Sequence, residues 1–449
     1  MLLLPHAAKP LLGAFSVAFT PATFPRFLLL MVGAILTRGR HTVTALLRTL
    51  GPLAEGHWSD FHRVLSRASW SPFPLGKVLA ALILELIPAD QPIVIPVDDT
   101  NPQHKGKKVY GKGKHPDACR STHSHMVWVW GHKWVVLAIN VKFPFATRPW
   151  ALPVLVALYR PEELNKSEGR RHKTPIHLAR QLVATLIHWF PRRKFILVGD
   201  GGYASHHLAW FCHHHSKHVA LVSRFHPKAN LYSQPATRTA RKAGRPRTRG
   251  RKLAVPESVV KRAKRRRAKV NWYGGQQRRV ELVSGTGGWY KGGEGLVPVR
   301  WVFVHDLDGT HRDEYFYTTD PELKPEQIVS LYTGRWSIEV TFQEVRTHLG
   351  FATPRSWCQT SVLRSAPCLL GLFSVVSLLF QRLTHGRNVP VRQTAWHARM
   401  EPTFGDAIQA VRQLLWCQTI LKQTMFHTVV SKLPPRFRAL LLDELCRQT

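Results

Sequence analysis

Tyr332-Thr-Gly-Arg335-Trp-Ser-Ile-Glu339-Val-Thr-Phe-Gln-Glu-Val-Arg346 is the stretch around which the rest of the chain is organised. Tyr332, Arg335, Glu339 and Arg346 follow one another at spacings of 3, 4 and 7. At roughly 100° per residue they fall within about 60° of one another on one helical face. Ile338, Val340, Phe342, Val345 and Leu349 are available to pack on the flanks. Two readings fit this ridge. One is a surface helix carrying an Arg335–Glu339 i,i+4 ion pair. The other is an acid aimed at a metal, with cations and a phenol aimed at phosphate. Two upstream apolar runs favour the second, because one ends in Asp98-Asp99-Thr100 and the other in Asp200-Gly-Gly-Tyr203.

Working outward, residues 91–224 predict a mixed α/β layer. Ile93–Val97, Met126–Trp130 and Trp134–Val141 read as strands, the last two joined as a hairpin through Gly131-His132-Lys133. A helix follows at 175–190, then strand Phe195–Val198, a helix near 204–216 and strand Val219–Val222. Acids therefore stand at strand ends. Residues 225–320 interrupt the layer with a basic linker and a β insertion, whose strands are Arg279–Val283, Val299–Val304 and Glu314–Tyr317. Residues 321–355 complete the core with the Glu339 helix.

The flanks read as helical. Segments 25–37, 42–51, 57–67 and 75–87 give residues 1–90 the form of either a DNA-recognition module or a packing cap. In residues 356–449 Leu363–Leu383 is nearly all apolar. Ser365, Ser374, Ser377 and the breaker Pro367 favour a core helix over a membrane one, and helices at 404–423 and 436–447 follow as a candidate dimerisation region. The chain is thus expected to be α/β, a mixed sheet core with a β-rich insertion and helical regions at both ends.

Charge is the anomaly of the composition. The 449 residues carry 64 Lys and Arg against 27 acids, a formal net charge of +37. Such a chain calls for a polyanion, and nucleic acid is the default because phosphate contacts release counterions. The N-terminal MLLLPHAAKP lacks a basic segment ahead of its apolar residues, so no signal peptide is expected. Six cysteines (119, 212, 358, 368, 417, 446) form no CxxC pair, which argues for a reducing compartment and against a thiolate zinc site. The histidines between His206 and His218 are too irregularly spaced for zinc and read as a solvated patch. Residues 236–270 hold fifteen Lys or Arg against the single acid Glu257. Within them Gly244-Arg245-Pro246-Arg247 is either an AT-hook-like minor-groove element or a solvated loop.

Three carboxylates, two at strand ends and one on a covering helix, are what two-metal phosphoryl transfer needs. Hard oxygen ligands hold two divalent ions roughly 3.5–4 Å apart, one activating the attacking oxygen and one stabilising the leaving oxygen.

Asp-Asp-Thr after one strand, Asp-Gly-Gly-Tyr after a later one, and Tyr-x2-Arg-x3-Glu-x6-Arg on a helix resemble the DDE transposases of bacterial insertion sequences. The resemblance is to the subgroup with a Tyr-Arg-Glu-Lys signature and covers about 93–350. It implies an RNase H-like core, a β insertion before the glutamate, and cut-and-paste cleavage and joining of DNA ends. It also implies Mg²⁺, with Mn²⁺ as a substitute, at two ions per site. Asp98, Asp200 and Glu339 would be metal ligands, while Tyr332, Arg335 and Arg346 would orient phosphates. The first acid is ambiguous. The Asp-x-Thr pattern points to Asp98 and an alternative alignment to Asp99, and neighbours on a strand face opposite ways. The signature lysine is Arg346 here, a planar fork in place of a compact ammonium. Lys105, in Lys105-Gly-Lys-Lys-Val-Tyr-Gly, and Arg245 and Arg247 are further DNA-binding candidates. Trp289 is either a base-stacking residue, as in some relatives, or simple packing beside a glycine turn. The expected partners are double-stranded DNA, both element ends and target, and a second copy in a synaptic complex, with no membrane and a cytoplasmic, nucleoid-associated location. A non-catalytic DNA-binding descendant and an RNase H-fold nuclease that cuts without joining remain as alternatives.

Overall fold

The computed structural model describes residues 4–117, 120–122, 124–235, 247–385, 389, 391, 393, 398–420 and 427–447. Among them ten strands form one sheet and two more form a separate ribbon. The central sheet strands are β1 (Ile93–Thr100), β4 (Lys133–Val141), β5 (Trp150–Tyr159), β6 (Phe195–Gly199) and β7 (Val219–Arg224). The ribbon consists of β2 (Gly113–Pro116) and β3 (Trp128–Gly131). Strands β8 (Leu231–Tyr232), β9 (Arg266–Asn271), β10 (Gln277–Lys291), β11 (Gly295–Asp306) and β12 (Glu314–Thr318) come from the second half of the sheet.

The order is β5-β4-β1-β6-β7-β12-β11-β10-β8, with β9 paired to β10. β1 runs antiparallel to β4 and parallel to β6, and β6 runs parallel to β7. This is the mixed α/β sheet core that the sequence leads one to expect. The strands of residues 266–318 continue it, since β12 pairs directly with β7.

One strand assignment is corrected. The 126–130 segment does not form a hairpin with β4; β3 pairs with β2, and β4 is flanked by β1 and β5. The third core strand is β5, which carries Pro153. Proline removes a ladder donor and is confined to edges and bulges. Here β5 is an edge strand, and its register against β4 shifts between Leu137 and Ala138, where Pro153 sits.

Helices of eight residues or more are α1 (Phe24–Leu36), α2 (Val43–Leu50), α3 (Trp58–Ser66), α4 (Pro72–Leu84), α5 (Pro175–Trp189), α6 (His206–His214), α7 (Pro325–Gly334), α8 (Ser337–His348), α9 (Gln359–Thr384), α10 (Phe404–Leu415) and α11 (Pro435–Cys446). The two faces of the sheet are buried differently. Ile93, Ile95, Val97, Phe195 and Leu197 point into a large core shared with the terminal helices and α5. Ile196, Val198, Val222 and Phe316 point into a smaller core covered by Ile328, Val329 and Tyr332 of α7.

The helix α9 is long and apolar enough to cross a membrane, yet most of its apolar window is buried inside the protein. Leu370, Val376, Leu379 and Phe380 are fully enclosed, and Ser374 donates to the Pro153 carbonyl. Two buried arginines lock the terminal helices together. The Arg412 guanidinium donates to the carbonyls of Ile35, Thr37 and His348, joining α10 to the end of α1 and the end of α8.

Arg364 of α9 donates to the carbonyls of Val64, Leu65, Ala68 and Trp70 at 2.6–3.3 Å and lies 4.5 Å from the Trp70 ring centroid. Removing it takes a donor from all four carbonyls, of which that of Trp70 is buried. Arg364→Leu is therefore expected to destabilise the fold by about 3 kcal/mol, read as a lowered unfolding midpoint. Arg364→Lys should recover only part of this, because a single ammonium cannot span four acceptors. An unchanged midpoint for Arg364→Leu would refute the role given to this clamp.

Candidate active site

Parallel pairing places Val97 opposite Gly199, so the next residues along, Asp98 and Asp200, leave adjacent strands side by side. Strand alternation settles which face each acid takes. Asp98 follows Val94 and Pro96 and Asp200 follows Ile196 and Val198, so both stand on the face covered by α7. Asp99 stands on the other face with Ile95 and Val97. There the Asp99 carboxylate pairs with Lys133 at 2.6 Å and accepts from the Tyr203 hydroxyl at 3.4 Å. Geometry thus joins Asp98, not Asp99, to Asp200.

The Asp-Gly-Gly-Tyr turn has a packing reason. A Cβ at Gly199 would lie 2.6 Å from the Cβ of Tyr203, which is buried beneath the sheet. Asp200 caps the following 3₁₀ turn, its Oδ1 accepting from the Gly202 amide at 2.9 Å. Its carbonyl accepts from the buried Ser223 hydroxyl at 2.8 Å, which ties this turn to β7.

The Tyr332–Arg346 stretch is not one helix. It breaks after Gly334, and the chain passes through Arg335 and Trp336 with i→i+3 backbone bonds before α8 begins. Asn140 on β4 clamps the break, donating to the Gly334 carbonyl and accepting from the Ser337 hydroxyl. The junction turns Arg335 inward. Its guanidinium donates to Asp98 Oδ2 and to Glu339 Oε1, each at 2.7 Å. Glu339 sits in the first turn of α8, where the helix dipole favours a carboxylate. Arg346, near the other end of α8, donates to the Thr100 hydroxyl on the Asp98 face of β1.

Electrostatics follow from this crowding. Burial pushes the Asp98 carboxyl up to about 7, with Arg335 pulling it down and Asp200 and Asp99 adding to the rise. Burial also holds the Tyr332 phenol above its ordinary value, so it stays neutral. Its ring stacks on Phe316 at 4.2 Å and lies between the guanidinium groups of Arg224 and Arg335, at 5.9 and 5.7 Å. Arg224 is in turn held by Glu314 at 2.5 Å.

Arg335 bridges the first and third acids. Among the described residues no three His, Cys, Asp or Glu side chains are gathered into a ready-made metal cluster. The donor chemistry nevertheless suits a hard divalent ion: Asp98, Asp200 and Glu339 are all carboxylates, and a cation, Arg335, already compensates two of them.

The remaining candidates lie elsewhere. Lys105 is exposed in the loop that leaves β1, and Arg247 is exposed where the described chain resumes after the basic segment. Arg245 lies outside the described residues. Trp289 is on the sheet face opposite Asp98 and Asp200, packed among Phe225, Tyr317 and His206. His206 is no part of a solvated patch: it is buried, bonded to Glu294 at 2.7 Å and to the Trp289 carbonyl at 3.0 Å. Sequence reasoning missed Asn140, Lys133 and Arg224. Asn140 and Lys133 left a signal as polar residues in or beside an otherwise apolar strand, whereas Arg224 left none.

A family model described as DDE superfamily endonuclease matches residues 14–279, more than half of the chain, and includes Asp98 and Asp200. Comparison with curated proteins gives no match. Among solved structures, a cryo-EM structure of a piggyBac transposase synaptic complex with hairpin DNA is similar at 12% identity. The similarity covers 98% of this chain and 81% of that one, with a TM-score of 0.41, too distant to carry an inference.

The raised Asp98 carboxyl has a consequence for stability. Its ordinary value is 3.8 and its folded value about 7. Between the two, the unfolded chain has released a proton that the folded one keeps, so ionisable Asp98 lowers stability as pH rises through that window. Asp98→Asn should match the wild type below the window and exceed it in unfolding midpoint at pH 8. Midpoints that run parallel from pH 5 to pH 8 would contradict this assignment.

Proposed function

The chain belongs to the DDE superfamily endonucleases, and from that premise we propose that it is a DNA transposase that cuts and joins the ends of a mobile element. The observation that carries the reading is the placement of Asp98 and Asp200 next to the last parallel pair, Val97 and Gly199, with Arg335 linking Asp98 to Glu339. A pure DNA-binding surface has no use for three carboxylates directed at a polyanion.

Asp98, Asp200 and Glu339 would hold divalent cations, Mg²⁺ with Mn²⁺ as a substitute, two per site. The chemistry such ions supply is charge neutralisation at the phosphodiester and acidification of the attacking hydroxyl. The protein's own contribution is positioning. Once Asp98 and Glu339 are compensated otherwise, the Arg335 fork is free to pair with phosphate oxygens, where bidentate contact fixes orientation as well as charge. Arg346, at the other end of α8, would take a second phosphate along the strand. Tyr332, a neutral phenol wedged between two guanidinium groups, sets how far Arg335 can move. The attacking groups would be water and then a DNA 3′-hydroxyl, with no covalent enzyme intermediate. Acting on paired ends calls for a second copy in the synaptic complex, and the Tyr-Arg-Glu-Lys type of insertion-sequence enzyme is the subgroup whose pattern this chain follows.

The test is cleavage of a labelled duplex bearing the element's own ends, with Mg²⁺, Mn²⁺ or EDTA, comparing wild type with Glu339→Gln. Nicking that needs the metal and falls by about 100-fold or more in the variant, with DNA binding retained, is the expected result. Binding without cleavage by the wild type under either metal would instead support a non-catalytic DNA-binding protein. Cleavage without transfer of the 3′ end to a target would support a nuclease.

A further inference from the structure

The β2–β3 ribbon presents an outward face that the fold does not use. Trp128, Trp130 and the preceding Met126 are 50%, 58% and 56% exposed, and Lys114 and Pro116 lie opposite the two indoles across the ribbon. The Lys112 and Lys114 ammonium groups stand 5.5 and 5.2 Å from the Trp130 and Trp128 ring centroids. Exposed indoles with lysines held over them are costly to leave in water unless something takes their place.

The ribbon's back is, by contrast, tightly seated. His115 and Val129 are buried, a Cβ at Gly113 would strike the Pro161 ring at 2.3 Å, and one at Gly131 would strike the Pro102 carbonyl at 2.1 Å. The display of the two indoles is therefore rigid.

It is also close to the candidate active site. Gly131 bridges to Gln103, and Asn101 donates to the Pro116 carbonyl, so the ribbon is fastened to the chain that leaves β1. Gln103 lies five residues beyond Asp98 in the sequence. That separation spans at most about 18 Å, or about five stacked nucleotides.

From these observations we infer that the ribbon is a stacking platform for unpaired nucleotides of the DNA strand next to the scissile phosphate, with Trp128 and Trp130 taking base faces and Lys112 and Lys114 taking phosphates. The inference rests on the DNA-cleaving reading above. Side chains two apart on one strand face are separated by about 6.7 Å, twice the spacing of stacked bases. Stacking on indole tolerates any base, and lysines between the rings supply the charge that single-stranded binding needs. Trp289, packed on the other face of the sheet, does not offer such a surface.

The test uses the full chain in EDTA, so that binding is read without cleavage. Affinity is measured by anisotropy for a blunt duplex and for the same duplex with a short single-stranded extension carrying 2-aminopurine. The wild type should prefer the extended duplex and quench the 2-aminopurine. Trp128→Ala with Trp130→Ala should weaken binding to the extension roughly tenfold and abolish the quench, while leaving the blunt duplex unchanged. Trp128→Tyr with Trp130→Tyr should restore both, which guards against a folding defect. Equal loss on both duplexes, or no loss on either, would overturn the platform, as would a change in oligomeric state alone, which would make the ribbon an interface between copies. A wild type that binds neither duplex would remove the DNA-cleaving reading itself.

Discussion

Parallel pairing of β1 with β6 forces two carboxylates, Asp98 and Asp200, onto the same face of a buried sheet. Like charges placed together in a low-dielectric setting repel, and each also loses its hydration. The rest of the site reads as a response to that constraint. A cation must be near, and Arg335 is the one the fold delivers, bonded at 2.7 Å to both Asp98 and Glu339. For Arg335 to arrive from α7 the helix has to end, so the chain breaks after Gly334 and restarts at Ser337. The break in turn exposes backbone groups, and Asn140 reaches across from β4 to satisfy one of them. A polar residue near the end of a buried strand thus has its explanation in a helix junction 194 residues away.

Much of this was legible in the sequence, and the reasons differ by element. The helices at 24–36, 43–50, 58–66 and 72–84 follow from apolar periodicity bounded by prolines, because local propensity and tertiary packing agree there. The strands ending in Asp98 and Asp200 followed from short apolar runs closed by acid. The choice between Asp98 and Asp99 did not follow. It depends on which face of the sheet α7 covers, a fact about packing that no local pattern holds. The same limit explains the ribbon: Met126–Trp130 and Trp134–Val141 look like hairpin partners because they are adjacent, yet β4 finds better neighbours in β1 and β5. Pro153 hid β5 because a proline argues against a strand until its place at an edge is known.

The Tyr332–Arg346 ridge shows how a correct pattern can rest on an incorrect geometry. On a continuous helix the four polar residues share a face. In the structure the α-helical hydrogen bonding lapses at Arg335 and Trp336, yet both residues keep right-handed helical dihedrals, so Arg335 still meets Glu339 as an i,i+4 pair. Arg335 is buried, Tyr332, whose ring lies 5.7 Å from its guanidinium, is buried deeper, and Glu339 remains half exposed. The ridge therefore descends from solvent into the sheet rather than lying along a surface.

Arg335 also accounts for a feature that a list of acids leaves unexplained. Asp98 and Asp200 on one face of the sheet, with Glu339 beside them, would be a liability if left uncompensated, because unpaired buried charges destabilise folds by several kcal/mol. A guanidinium that pairs with two of them offsets much of that cost, while the Asp200 carboxylate is engaged by the Gly202 amide of its own turn. Such a pair is weaker than it looks. The Arg335 charge is shared between two partners, and Asp98 retains a raised proton affinity despite it. In the proposed function a divalent ion, with twice the charge in a smaller volume, would take over the compensation that Arg335 provides. In the folded protein Arg335 is a counterion to both acids, and in the function proposed here the same guanidinium would become a phosphate fork.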